Sequence, residues 1–216
     1  LYARDYPGPG SDAPVVVCLH GLSRNSRDFE DFAPLLQPFH RVIVPDQRGR
    51  GCSDSDPQVE RYTPQTYIMD TLQLLDALAV DTFSIDGTSM GGLMAMGISA
   101  LAPSRLNRVV LNDIGPVIAA QGLERIKSSV GSKMQFPDWA TAAEHLAQVN
   151  STAFPHYFSE DWLRFAARAC SQNSSEVTLD YDPNITAALS SATSGLRPED
   201  LWALFDTLIS TPALLI

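Results

Sequence analysis

Read along its apolar positions, the first half of the chain carries four short runs rich in β-branched residues, at 15–19, 41–44, 82–85 and 108–111. They are apolar throughout rather than alternating, the pattern of strands covered on both faces as in a parallel sheet. Helical spacing fills the gaps between them. The clearest case is 64–79, where Thr63 predicts an N-cap and Pro64 suits the first helical position. Ile68, Leu72, Leu75 and Ala79 then recur on one face, turned toward the sheet. Residues 90–101 are apolar nearly all round with glycine and alanine interspersed, which predicts a buried helix packed close against its neighbours. This β-α-β alternation predicts an α/β fold with a mostly parallel sheet flanked by helices, and ligand chemistry at the carboxyl ends of the strands.

After Asp113 the pattern changes. Helical patterns occur at 122–130, 138–149 and 159–169, the last opened by Ser159, Glu160 and Asp161, and no strong buried strand accompanies them. The expected organisation is an inserted helical cap over 115–196 and a core made from 1–114 and 197–216. Pro198, Glu199 and Asp200 open one more helix running to about position 208, and 212–216 begins a fifth apolar strand.

Composition narrows the function classes. At 44% hydrophobic and 19% charged, the chain is ordinary globular material rather than disordered or repetitive. A net charge of −10 sets its field against phosphate backbones and anionic membranes, so neither nucleic acid nor a membrane surface is an expected partner. No apolar run approaches the length of a membrane span and the N-terminus lacks a leader pattern, so a soluble protein is expected. Cys18, Cys52 and Cys170 show no metal-ligand or redox spacing, which points to reduced thiols in a cytoplasmic setting and to no metal or other cofactor.

The candidate chemistry begins at Gly87-Thr88-Ser89-Met90-Gly91, a G-x-S-x-G stretch that follows a predicted buried strand and opens a predicted buried helix. That is the context a nucleophile elbow requires: a strained turn projects the serine hydroxyl above the sheet, and a side chain at either glycine would collide with the neighbouring strand or helix. Two further stretches each follow an earlier predicted strand, "VVVCLHGLSRN" with His20 and Gly21, and "VPDQRGRGCSD". In this order the three motifs resemble the α/β-hydrolase fold family, and the resemblance runs along essentially the whole chain, cap included.

The resemblance implies that Ser89 is the nucleophile and that the backbone N–H groups of Leu22 and Met90 form the oxyanion hole. His20 and Gly21, with Trp139 and Trp162 under the cap, are the candidate residues around the small-molecule substrate; the tryptophans equally suit core packing. Asp46, Arg48, Gly49, Gly51 and Ser53 would hold their loop. Ser23, Arg24 and Asn25 either reach a polar substrate group or cap the next helix, and Asp86 either tunes the site or bonds nearby backbone. A dinucleotide reading fails because position 89 is serine where G-x-G-x-x-G needs glycine. Relatives with dehalogenase or epoxide hydrolase chemistry place aspartate at the elbow, so Ser89 favours an acyl-serine route.

A serine of this kind needs a base and an orienting acid. The resemblance implies a histidine after the last strand and an acid after the strand before it. The chain reaches "TPALLI" in that earlier strand, so both are expected beyond Ile216, the chain being a fragment of a longer enzyme. Asp113, ending the strand after the elbow strand, occupies an alternative acid position used in part of the family, or caps its loop. His40, His145 and His156 have surface or packing readings. The expected function is hydrolysis of a small carboxylic ester or lactone; carbon–carbon hydrolysis of a ring-cleavage product and a non-catalytic ligand-binding relative are the alternatives.

Overall fold

A computed structural model describes residues 1–119, 122, 130–131, 134–173, 175–186 and 198–216. In chain order the named elements are β1 (Ala3–Tyr6), β2 (Val15–Leu19), α1 (Ala33–Leu36), β3 (Arg41–Pro45), α2 (Pro64–Ala77), β4 (Phe83–Thr88), α3 (Met90–Leu101) and β5 (Leu106–Asn112). Then follow β6 (Gln135–Phe136), α4 (Trp139–Asn150), α5 (Ser159–Ala169), β7 (Cys170–Gln172), β8 (Val177–Leu179), α6 (Pro198–Asp206) and β9 (Ala213–Leu215).

Six strands form the main sheet in the order β1-β3-β2-β4-β5-β9, all parallel except β1, which pairs antiparallel with β3. The four runs of β-branched residues are therefore its centre. Val17, Leu19, Ile43, Ile85 and Leu111 are all buried in one core with the inner faces of α2 and α3. Burial of each such side chain contributes about 1.5–3 kcal/mol. The helix α2 starts where expected, with Thr63 Oγ1 accepting from the Thr66 amide. It stops at Ala77, two residues short of the predicted end, because Ala79 turns into the left-handed region at φ 53° and the Val80 amide closes back on the Leu75 carbonyl. The helix α3 covers the predicted span and packs close to α2: a Cβ on Gly97 would lie 2.4 Å from Ile68 Cδ1.

Between β5 and α6 the described residues hold more than helices. The helices α4 and α5 match two expected patterns, with the Asp138 carboxylate capping α4 through the Thr141 amide at 2.8 Å. Where helices without a strong buried strand were expected, three short strands, β6, β8 and β7, form a small antiparallel sheet in that order. Strands of two or three residues are too short to show an alternation. Residues 123–129 of the helix expected over 122–130 lie outside the described residues. Phe136, Ala142, Leu146, Trp162, Ala166 and Val177 make a second core of this segment.

The segment is bonded to the main sheet's loops at several points. The Gly51 amide donates to the Asp180 carbonyl (3.1 Å) and the Asp182 amide to the Gly49 carbonyl (2.7 Å). Asn25 Nδ2 donates to the Arg168 carbonyl (2.9 Å), Tyr62 Oη to the Asp182 carboxylate (2.7 Å), and Arg27 pairs with Asp180. Cys18, Cys52 and Cys170 are free thiols, and no helix among the described residues is long and apolar enough to cross a membrane.

Candidate active site

The strand β4 delivers Ser89 to the top of the sheet, directly before α3. Its backbone has φ 52° and ψ −112°, outside the regions an L-residue ordinarily occupies. Such strain persists only where the surroundings over-determine it. Here the Ser89 amide donates to the Asn112 carbonyl at the end of β5 (2.9 Å), and the Ser89 carbonyl accepts from the Gly92 and Leu93 amides at 2.9 and 3.1 Å. The flanking glycines are sterically required. A Cβ on Gly91 would lie 2.1 Å from the Leu19 carbonyl oxygen of β2, and one on Gly87 would lie 2.5 Å from the Gly91 oxygen of α3. Met90 is the first residue of α3, so its amide has no intrahelical acceptor and sits at the positive end of the helix.

Immediately after β2, Gly21 comes up against the elbow: a Cβ built there would be 3.9 Å from Ser89 Cβ. The Gly21 carbonyl accepts from His20 Nδ1 (2.7 Å) and from the Arg24 amide (3.1 Å). Because the peptide is planar and trans, fixing that carbonyl also fixes the Leu22 N–H on its opposite side. Among the described residues the Leu22 N–H has no acceptor. Two unengaged amides, of Leu22 and Met90, thus belong to the two segments that meet at Ser89.

His20 is 1% exposed, and its Nε2 accepts from the Gln47 amide at 3.0 Å. With Nδ1 donating and Nε2 accepting, the ring is a neutral tautomer with both nitrogens committed. Burial, with the nearby Arg50 charge, lowers its pKa from 6.5 to about 4. Between those values the unfolded chain binds a proton that the folded chain excludes. Stability from this group is therefore complete above about pH 6.5 and falls as pH drops toward about 4, by about 3 kcal/mol in all. Urea midpoints measured from pH 7 to pH 4 are expected to decline across that window; a flat midpoint would contradict the buried neutral state.

The remaining candidates are distributed unevenly. Asp113 is exposed, at φ 53°, one residue beyond the Asn112 carbonyl that holds the elbow; its amide donates to the Ile216 carbonyl at 3.0 Å. A cavity of about 90 Å³ adjoins the loop after β2, walled by Ser23, Arg24, His145, Leu146, Phe165 and Tyr181. Arg24 pairs with Asp28 and stacks 4.1 Å over the Phe165 ring. Neither expected tryptophan lines this cavity. Trp162 packs in the second core between Phe154, Tyr157 and Phe165, and Trp139 Nε1 donates to Gln172 Oε1 at 3.0 Å. Asn25 caps the short 3-10 turn that follows the loop after β2, through the Arg27 amide. Asp86 borders a separate cavity of about 420 Å³ with Asn112 and Ile216, where burial raises its carboxyl pKa. His145 lies against the Phe136 ring, and His156 is exposed.

The loop after β3 is bound up as its motif suggests. The Asp46 carboxylate accepts from the Ser26 and Cys52 amides at 2.6 and 2.9 Å, and Arg48 pairs with Asp70 and Asp56. Gly51, at φ 54°, leaves no room for a Cβ beside the Asp46 carboxylate, only 2.3 Å away. One residue of this loop escaped the sequence reading. Arg50, between the two glycines, is 1% exposed and its Nε donates to the Leu22 carbonyl at 2.9 Å. Its only signal in the sequence is a cation set between glycines, which reads equally as a solvated loop.

Comparison with known proteins finds relatives of this chain and of its fold. A family model described as alpha/beta hydrolase fold matches residues 14–193. A 3-hydroxybutyrate-oligomer hydrolase of Cupriavidus necator is 32% identical over 97% of this chain and 73% of that protein. The crystal structure of an alpha/beta hydrolase from Novosphingobium aromaticivorans superposes with a TM-score of 0.92 at 38% identity, covering 99% of this chain and 75% of that one. A putative hydrolase from Rickettsia typhi follows with a TM-score of 0.83 at 26% identity, over 99% of this chain and 72% of that one.

Proposed function

The chain belongs to the α/β-hydrolase fold family, and we propose that it hydrolyses short carboxylic esters or lactones through an acyl-enzyme on Ser89. The observation that carries this reading is the meeting of a strained, glycine-flanked serine with the two unengaged amides of Leu22 and Met90. Attack of Ser89 Oγ on an ester carbonyl makes a tetrahedral oxyanion. Two fixed N–H donors aimed at that oxygen each stabilise it by about 3 kcal/mol in a site shielded from water. A general base takes the Ser89 proton during the attack and passes it to the departing alcohol, which leaves the acyl group on Ser89; the same base then activates the water that releases the acid. His20 takes no proton in this scheme, since both its ring nitrogens are committed to backbone.

Ser89 does not line the cavity of about 90 Å³ walled by Ser23, Arg24, Leu146 and Phe165, so the choice of a small acyl group rests on the relatives rather than on that cavity. The C. necator relative's name points to short 3-hydroxybutyrate esters as the first substrates to try. Asp113 is the candidate acid beside the elbow, and Trp139 and Trp162 act from behind the cavity wall by supporting the core that Phe165 belongs to. The test is to treat the full-length protein with a fluorophosphonate and map the adduct by mass spectrometry, alongside assays with p-nitrophenyl butyrate and a 3-hydroxybutyrate dimer. A single adduct on Ser89 with turnover of these esters is expected. A folded protein that neither labels at Ser89 nor turns over any ester would overturn the reading.

A further inference from the structure

Arg50 is among the largest side chains with no exposure to solvent, and it carries a charge. Its Nη1 donates to the Arg48 carbonyl (2.7 Å) and to the Tyr67 hydroxyl (2.8 Å), and its Nε to the Leu22 carbonyl (2.9 Å). Its Nη2 reaches only the Met90 sulfur, at 3.9 Å. The guanidinium also lies 4.6 Å from the Tyr67 ring centroid and 5.8 Å from that of Tyr62. Among the described residues no carboxylate forms an ion pair with it. Burying a guanidinium whose hydrogen-bond partners are all neutral, with the Asp182 carboxylate acting on it only through space, is costly.

The charge sits where it would act on catalysis. Its two outer contacts are Leu22 and Met90, the residues whose amides would receive the oxyanion in the function proposed above. We propose that Arg50 is the positioning residue of the oxyanion hole: its rigid fork sets the Leu22 carbonyl and the Met90 side chain, and its unpaired charge favours the negative oxygen that forms beside them. The peptide after Leu22 is fixed by Arg50, and the peptide before it by His20 and the Arg24 amide. Leu22 is thereby held from both sides. A charge already in place and shielded from water stabilises the transition state without reorganising, and it favours the anionic state over the neutral ester.

This inference rests on the reading of Ser89 as nucleophile, and its test separates the two. Arg50→Met, Arg50→Lys and Tyr67→Phe are made in the full-length protein, their folding checked by circular dichroism. Each is assayed with p-nitrophenyl butyrate and with n-butylboronic acid, whose tetrahedral adduct on the serine mimics the oxyanion. Arg50→Met is expected to lower kcat about 100-fold and to weaken boronate inhibition by a similar factor, with KM within about twofold. Arg50→Lys, which keeps the charge but loses the fork, is expected to recover part of both. Tyr67→Phe removes one anchor at a distance from the hole and is expected to lower kcat and boronate affinity together by about threefold, which keeps the idea testable if Arg50→Met does not fold. Unchanged kcat and boronate affinity in a folded Arg50 variant, or in Tyr67→Phe when no Arg50 variant folds, would overturn the role of Arg50. If the variants still label at Ser89, the nucleophile reading stands even so.

Discussion

Ser89→Ala is expected to lower kcat for p-nitrophenyl butyrate at least about 1,000-fold and to abolish fluorophosphonate labelling, while the protein remains folded. The reason the loss should be so large lies in the division of labour at the elbow. The amides of Leu22 and Met90 remain in place in the variant, since their positions depend on the backbone and not on the hydroxyl. What disappears is the proposed nucleophilic oxygen, and the neighbouring Thr88 hydroxyl is engaged by Asn112 Nδ2. The folded state should be nearly indifferent, because alanine carries the same backbone strain at φ 52° as serine and the Ser89 side chain makes no hydrogen bond among the described residues. Steady-state rates together with a thermal melt check both halves. Retained ester turnover in a folded Ser89→Ala protein would remove the acyl-serine mechanism.

Gly91→Ala is expected to do the most damage to stability, by about 3 kcal/mol. The new methyl would lie 2.1 Å from the Leu19 oxygen and 2.6 Å from its carbonyl carbon. These are backbone atoms of β2, which is paired on one side with β3 and on the other with β4, so the strand has no free direction in which to yield. The alternative is for α3 to move off the sheet, which drags the Met90 amide away from the elbow. Activity should therefore fall along with stability. Gly97→Ala, on the same helix, is the internal comparison: its methyl would meet only the end of the Ile68 side chain, which has rotamers to use. Denaturant unfolding should show a clearly larger midpoint shift for Gly91→Ala, and equal shifts for the two variants would refute the steric account.

The elements most legible in the sequence are those whose pattern is set by burial alone. Val15–Leu19 and the other central strands read plainly because a strand covered on both faces needs apolar residues at every position. The helix α3 was legible to the residue since the elbow fixes its start and Ala102 with Pro103 ends it. The fold as α/β with a mostly parallel sheet follows from those elements. By contrast β6, β7 and β8 pair only two or three residues each, and β6 meets β8 only across a long stretch of intervening chain. No local periodicity announces them. At the site, the glycine pattern around Ser89 was readable because sterics forbid other residues there, whereas Arg50 was not. A buried cation next to Leu22 becomes visible only once the loops after β2 and β3 are brought together. Trp139 and Trp162 illustrate the reverse difficulty: large aromatics suit either a pocket or a core, and only packing decides which.

The paired amides that join Gly49 and Gly51 to Asp182 and Asp180 bear on how the molecule comes apart. Lifting the small sheet away from the large one would break both bonds together, separate the Tyr62 hydroxyl from Asp182, and strip Arg27 from Asp180. Each orphaned group would then have to find water or remain unsatisfied. The smaller core consequently has no cheap route of partial detachment, and the two sheets form a single cooperative unit whose amides exchange by the same opening rather than by separate ones.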